Sequence, residues 1–146
     1  MFKFEGLEVW KLAVEYVDLA YSISARLPKD EEYNLKSQVR RAATSIALNI
    51  AEGSTGQSDP EQARFLSMAL RSVLETVACL HLIARRDYLA DAAALREAYA
   101  RAEVLSKRLQ AMKRAITKVP ARLAEEPAEY ELDDRRWTTD HDCGAR

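Results

Sequence analysis

Apolar residues recur at helical spacing over four long stretches of the chain. After Gly6, Trp10, Ala13, Val17, Ala20, Ser24 and Leu27 form one stripe, and Val9, Leu12, Tyr16, Leu19 and Ile23 form a second beside it. An apolar arc this wide suits a helix packed against more than one neighbour. Proline disfavours helix in the residue before it, so Leu27 and Pro28 predict an end near Arg26.

A second helix is expected to begin near Asp30 and Glu31, where acids suit the positive end of the helix dipole. It is expected to stop at Gly53, a residue suited to the position just past a helix end. Leu35, Val39, Ala42, Ile46 and Asn49 step by four, three, four, three, which is heptad spacing with an amide at its last position.

Residues 54–58 are polar and contain glycine, the composition of a loop. Asp59 then suits the N-cap of a third helix, Pro60 its first position, and Gln62 the far side of a capping box. Ala63, Leu66, Leu70, Val73, Val77, Leu80 and Ala84 carry its apolar stripe, with Arg85 and Arg86 in the last turn, where cations are favoured.

Asp91 is expected to cap the fourth helix. Leu95, Ala98, Ala102, Leu105, Leu109, Met112, Ile116 and Val119 keep the three–four alternation unbroken to Pro120, the strongest periodic signal in the chain. Long helices joined by short connections imply antiparallel neighbours. The pattern predicts an all-α, antiparallel up-down-up-down four-helix bundle over residues 1–120. Beyond it, residues 121–146 have few large apolar groups and are expected to form an acidic, flexible tail.

Composition agrees with this and narrows the class. At 146 residues with 48% hydrophobic and 31% charged positions, the chain suits one soluble domain with its own core. Cys79 and Cys143 are too far apart in sequence to form a small disulfide framework, and Cys79 lies in an apolar run that suggests a buried thiol. The N-terminal MFKFEGLEVWK carries acids where a signal peptide needs an apolar run. No stretch reaches the ~18 uncharged apolar residues of a membrane span. A cytoplasmic protein without membrane attachment is therefore expected.

The whole-chain charge of −1 hides an asymmetry. The tail has eight acids against four arginines, a charge of −4, so residues 1–120 carry +3. A mildly basic body is compatible with polyanion binding, and the acidic tail is expected to compete for the same face.

The second helix reads QVRRAATSIALNIAEG from Gln38 onward. With its Gln, its Arg-Arg-Ala-Ala, its Ser-Ile and its closing Asn-Ile-Ala-Glu-Gly, this segment closely resembles the small four-helix bundle family named for open reading frames in intervening sequences of bacterial large-subunit ribosomal RNA genes. The resemblance takes in Phe4, Leu7, Val9, Trp10, Leu27 and Pro28 upstream. Downstream it takes in Phe65, Leu66, Ala69, Ser72, Glu75, Tyr88 and Leu89, and it covers roughly residues 2–119. Arg71 departs from the pattern, which has a small residue before Ser72. The resemblance implies a ring-shaped homo-oligomer, most simply a pentamer, and no enzymatic activity. A similar fold serves as the accessory protein of diversity-generating retroelements, which implies RNA or DNA and a reverse-transcriptase-like protein as partners.

Two sets of polar residues are candidates for chemistry. Asn49 lies on the apolar stripe of the second helix, where a paired amide fixes register or oligomer state. With Arg40, Arg41, Glu52 and Glu75 it forms a candidate structural polar network, with an Arg40 or Arg41 pair to Glu52 or Glu75 expected. Arg40 and Arg41 point about 100° apart, so at most one can face a given partner squarely. The candidate nucleic-acid contacts are Arg101, Lys107, Arg108, Arg114 and Lys118, away from the apolar stripe of the fourth helix. No stacking aromatics are interleaved with them, so sequence-specific reading of single strands is not expected.

Catalytic and metal patterns are missing. There is no HExxH, no ExxH, no glycine-rich phosphate loop and no nucleophile–base pair, so neither a cofactor nor a catalytic residue is assigned. HEPN-type ribonucleases need an Arg four to six residues before a His, and His81, the only histidine of the expected bundle, has none. Asp140, His141, Asp142 and Cys143 lack a second ligand cluster. Two functional classes follow: a non-enzymatic oligomeric module that binds nucleic acid or a partner through a basic face, or a structural, protein-interaction oligomer.

Overall fold

The computed structural model describes residues 1–56 and 58–117. Four helices, α1 (Glu8–Ser24), α2 (Leu35–Gly53), α3 (Asp59–Arg85) and α4 (Ala93–Thr117), are accompanied by 3-10 turns at Lys3–Gly6 and Lys29–Glu31, and the described residues contain no strand. Helix α2 packs on α3, α3 on α4, and α1 on both α2 and α4. The four enclose one core in which Ile23, Val39, Ile46, Leu66, Leu80, Ile83, Leu105 and Leu109 are fully buried. The heptad positions of α2 and α4 supply much of that core, while Met112 and Ile116 pack at its edge. Val119 and the tail, with its Asp140, His141, Asp142 and Cys143, lie outside the described residues.

Three boundaries differ from the sequence expectation, each for a local reason. Helix α2 starts at Leu35, not near Glu31. The Glu31 carboxylate instead accepts the Leu35 amide at 3.2 Å and the Asn34 side-chain amide at 2.9 Å, so it satisfies the helix end from four residues upstream. Helix α3 is capped by Ser58, whose hydroxyl accepts the Glu61 amide at 3.3 Å, and Asp59 is already helical. Gly53 is the last residue of α2 and lacks the left-handed backbone that the expected role requires; among the described glycines only Gly56 has it, at φ 81°. A Cβ on Gly53 would stand 2.8 Å from Phe65 Cβ, so the glycine is needed for the close approach of α2 to α3.

Arg71 causes no such conflict. It points out to solvent while Ser72 is buried and donates to the Ser45 hydroxyl at 3.0 Å, so α2 and α3 still meet closely there. Helix α3 is long and apolar enough to cross a membrane by length and composition. In this fold that apolarity is used in packing on α2 and α4 together.

Candidate functional site

Helix α2 carries the polar candidates because its inner face is committed to the core. Val39, Ala43, Ile46 and Ile50 are buried, leaving Arg41, Leu48 and Glu52 on the outside. There they line an open groove of about 660 Å³, which also takes in Arg40, Asn49 and Glu75. All five residues of the candidate network therefore border one space.

The expected Arg–Glu pair does not form. Arg40 turns toward α1, donating from Nε to the Ser24 hydroxyl at 2.7 Å and stacking its guanidinium 4.9 Å from the Tyr21 ring. Ser24 in turn donates to the Tyr21 carbonyl at 2.8 Å. This satisfies Arg40 locally and joins α1 to α2. Among the described residues, Arg41, Glu52 and Glu75 enter no ion pair. Asn49 donates from Nδ2 to the Ser45 carbonyl at 2.8 Å and the Ser45 hydroxyl at 3.0 Å. Ser72 joins the same hydroxyl from α3, so an Asn49–Ser45–Ser72 chain crosses the two helices.

The α4 cations divide. At 100° per residue, Lys107 and Arg114 share one line, whereas Arg101 and Arg108 share another about 120° away. Arg101 is held by acids: its guanidinium lies 3.2 Å from Glu15 on α1 and 3.0 Å from Glu97 one turn earlier. Lys107, Arg108 and Arg114 are exposed, and none is in an ion pair among the described residues. Lys118 lies outside the described residues. On the opposite flank of α4, Tyr99 packs edge-on against His81 of α3, with ring centres 6.0 Å apart.

Sequence reasoning missed two parts. Tyr21 borders the groove through its stack with Arg40, and nothing in the spacing of α1 marks it out. Glu31 and Tyr88, 57 positions apart, meet at 2.7 Å where the phenol donates to the carboxylate. That bond, with the Leu35 amide, holds the Glu31 carboxyl below the usual carboxylate range, and the same bond raises the Tyr88 phenol. Cys79 is buried as expected, which pushes its thiol up. No cluster of three or more potential metal ligands occurs among the described residues.

Residues 5–111 match the family model described as 23S rRNA-intervening sequence protein. The matched span includes the groove and the cations from Arg101 to Arg108, and it ends before Arg114. No curated protein matches the chain.

Proposed function

This chain belongs to the 23S rRNA-intervening sequence protein family, and we propose that it is a non-enzymatic, homo-oligomeric accessory module that binds the phosphate backbone of RNA or DNA through the outer face of α4. The observation that carries this reading is the exposed pair Lys107 and Arg114, one above the other along the helix and outside every ion pair among the described residues. Such cations attract phosphate without reading bases. Tyr99, the aromatic residue of α4, is packed on His81, which favours recognition by charge over recognition by stacking.

An up-down-up-down order is supported by two contacts. Ser45 meets Ser72 and Gly53 lies against Phe65, so α2 and α3 run in opposite directions. The resemblance supports a ring of five copies and a reverse-transcriptase-like protein as partner, and the acidic residues of the N-terminal MFKFEGLEVWK support a cytoplasmic location without membrane attachment.

Binding to labelled RNA and DNA across a salt series tests the reading. Affinity for both should fall steeply as salt rises, and deleting residues 121–146 should tighten binding at low salt. An absence of low-salt binding would leave the structural, protein-interaction oligomer, which the mixed charge of the α2 groove favours.

A further inference from the structure

The groove on α2 holds charges of both signs that stay apart. Arg41 and Glu52 border it from α2 and Glu75 from α3, and none of the three is in an ion pair among the described residues. Arg40 is engaged with Ser24 and Tyr21, so Arg41 is the cation left facing the space. Unpaired surface charges are common and decide nothing singly. Asn49 adds an observation of another kind. It is nine-tenths buried, and both of its hydrogen bonds leave from Nδ2. One of them ends on the Ser45 carbonyl, which can only accept, so the amide nitrogen must face it and Oδ1 must point elsewhere. Among the described residues Oδ1 has no partner, and no fully buried side-chain oxygen or nitrogen lacks one, so Oδ1 opens into the groove. A carbonyl sheltered to this degree is matched by a donor arriving through that opening.

These groups are laid out in order. The Ser45–Ser72 bond sets the two helices side by side. One turn from it, Arg41 on α2 and Glu75 on α3 stand at the same end, because the two helices run in opposite directions. One turn the other way come Leu48 and Asn49, and then Glu52. The groove therefore has a cation and an acid at one end, an apolar patch at Leu48, and two acceptors, Asn49 Oδ1 and the Glu52 carboxylate, at the other. Arg41 and Leu48 lie about 10 Å apart along the helix axis. A simple anion in this space would face Glu52 and Glu75, and a simple cation would face Arg41. Its volume of about 660 Å³ is within the range that small ligands occupy.

We propose that this groove binds a free α-amino acid with a cationic side chain, of the arginine class. Arg41 takes the carboxylate, Glu75 the α-ammonium group, and Leu48 the methylene stem. Asn49 Oδ1 and Glu52 together take the guanidinium, whose planar array of N–H donors suits two adjacent acceptors. Such a ligand carries both signs of charge, so each unpaired group of the groove meets its opposite. No described residue of α4 lines the groove, so the site is separate from the proposed phosphate contact and stands or falls without it.

Isothermal titration calorimetry of the full chain with arginine tests it, and far-UV circular dichroism confirms that the variants fold. Arginine should bind. Agmatine, which lacks the carboxylate, and citrulline, whose head group is neutral, should each bind at least about tenfold more weakly, the effect of losing one charge-assisted hydrogen bond. Acetyl-arginine amide, which stands for an arginine inside a peptide, should be weakened likewise. Arg41→Gln should remove the preference for arginine over agmatine, and Glu52→Gln the preference for arginine over citrulline. Both side chains are exposed, so neither substitution disturbs the core. Arginine that fails to bind at millimolar concentration would overturn the site. So would agmatine, citrulline or the blocked arginine binding as tightly as arginine, or preferences that survive the two substitutions.

Discussion

Tyr16 on α1 and Thr76 on α3 are joined by a 2.7 Å hydrogen bond inside the core. Thr76 donates its own proton to the Val73 carbonyl at 2.6 Å, so the phenol is the donor in the pair. Burial pushes the Tyr16 phenol up to about 12. Both residues are buried, at 1% and 0% exposure, so neither can turn to water if its partner is lost. The pair ties together α1 and α3, which are not principal neighbours in the packing.

The two substitutions at this pair should therefore differ. Thr76→Val strands a buried phenol and should cost about 1–3 kcal/mol. Tyr16→Phe leaves Thr76 bonded to Val73 and should cost less, about 0.5–1.5 kcal/mol. The double variant should cost less than the sum of the singles. Urea denaturation of the three variants checks the cycle, and strict additivity would contradict the pairing.

Gly53 should resist substitution for steric reasons. Alanine places a methyl group 2.8 Å from Phe65 Cβ, which is fixed to the α3 backbone and cannot swing aside. The helices must separate locally, at an expected cost of about 1–3 kcal/mol. Gly6→Ala meets nothing within 4 Å and should be close to neutral. Thermal melts of the two variants make the comparison. If they melt together, close packing is not the reason for Gly53.

Much of this fold is legible in the sequence because periodicity reports burial directly. Val39, Ile46, Leu66, Leu80, Leu105 and Leu109 all fall on predicted stripes and are all buried. The errors are local. Asp59 looks like a better cap than Ser58, and only the backbone geometry shows which side chain accepts the Glu61 amide. Gly53 looks like a helix stop, because sequence shows a glycine's backbone freedom but not the neighbour its missing side chain admits. The candidate site was partly legible. The QVRRAATSIALNIAEG segment contains Arg40, Arg41, Asn49 and Glu52, and the structure sets them around one groove. Their bonding partners Ser24 and Ser72 come from other helices, and no local pattern reveals such pairings.

The Glu31–Tyr88 bond should give the protein an acid-sensitive and an alkali-sensitive limb. The Glu31 carboxyl is held below its ordinary value of 4.5, first by the Tyr88 bond and then by the Leu35 amide. Its contribution is therefore present above that value and is lost as pH falls through the lowered folded-state value. Tyr88 is shifted the other way, raised from 10.0 first by the same bond. Its contribution is present below 10 and is lost as pH rises through the raised value. Glu31→Gln should flatten both limbs in melting temperature measured against pH. An unchanged profile would mean that this contact between the chain before α2 and the turn after α3 contributes nothing.

Arg101 and the pair Lys107 and Arg114 look equivalent in sequence, yet they should separate in a binding assay. Arg101 already faces two carboxylates, Glu15 and Glu97, so a phosphate would have to displace both. Arg101→Gln should accordingly leave the salt dependence of RNA or DNA binding nearly unchanged. It should cost less than about 1 kcal/mol of stability, since the ion pairs it removes are exposed. Lys107→Gln with Arg114→Gln removes two cations that lie outside every ion pair among the described residues. If each contacts one phosphate, the slope of log affinity against log salt should become shallower by about 2. Stability should hardly change, because both side chains are exposed. The reverse order of effects, with Arg101 dominating the slope, would move the binding face to the flank of α4 that meets α1.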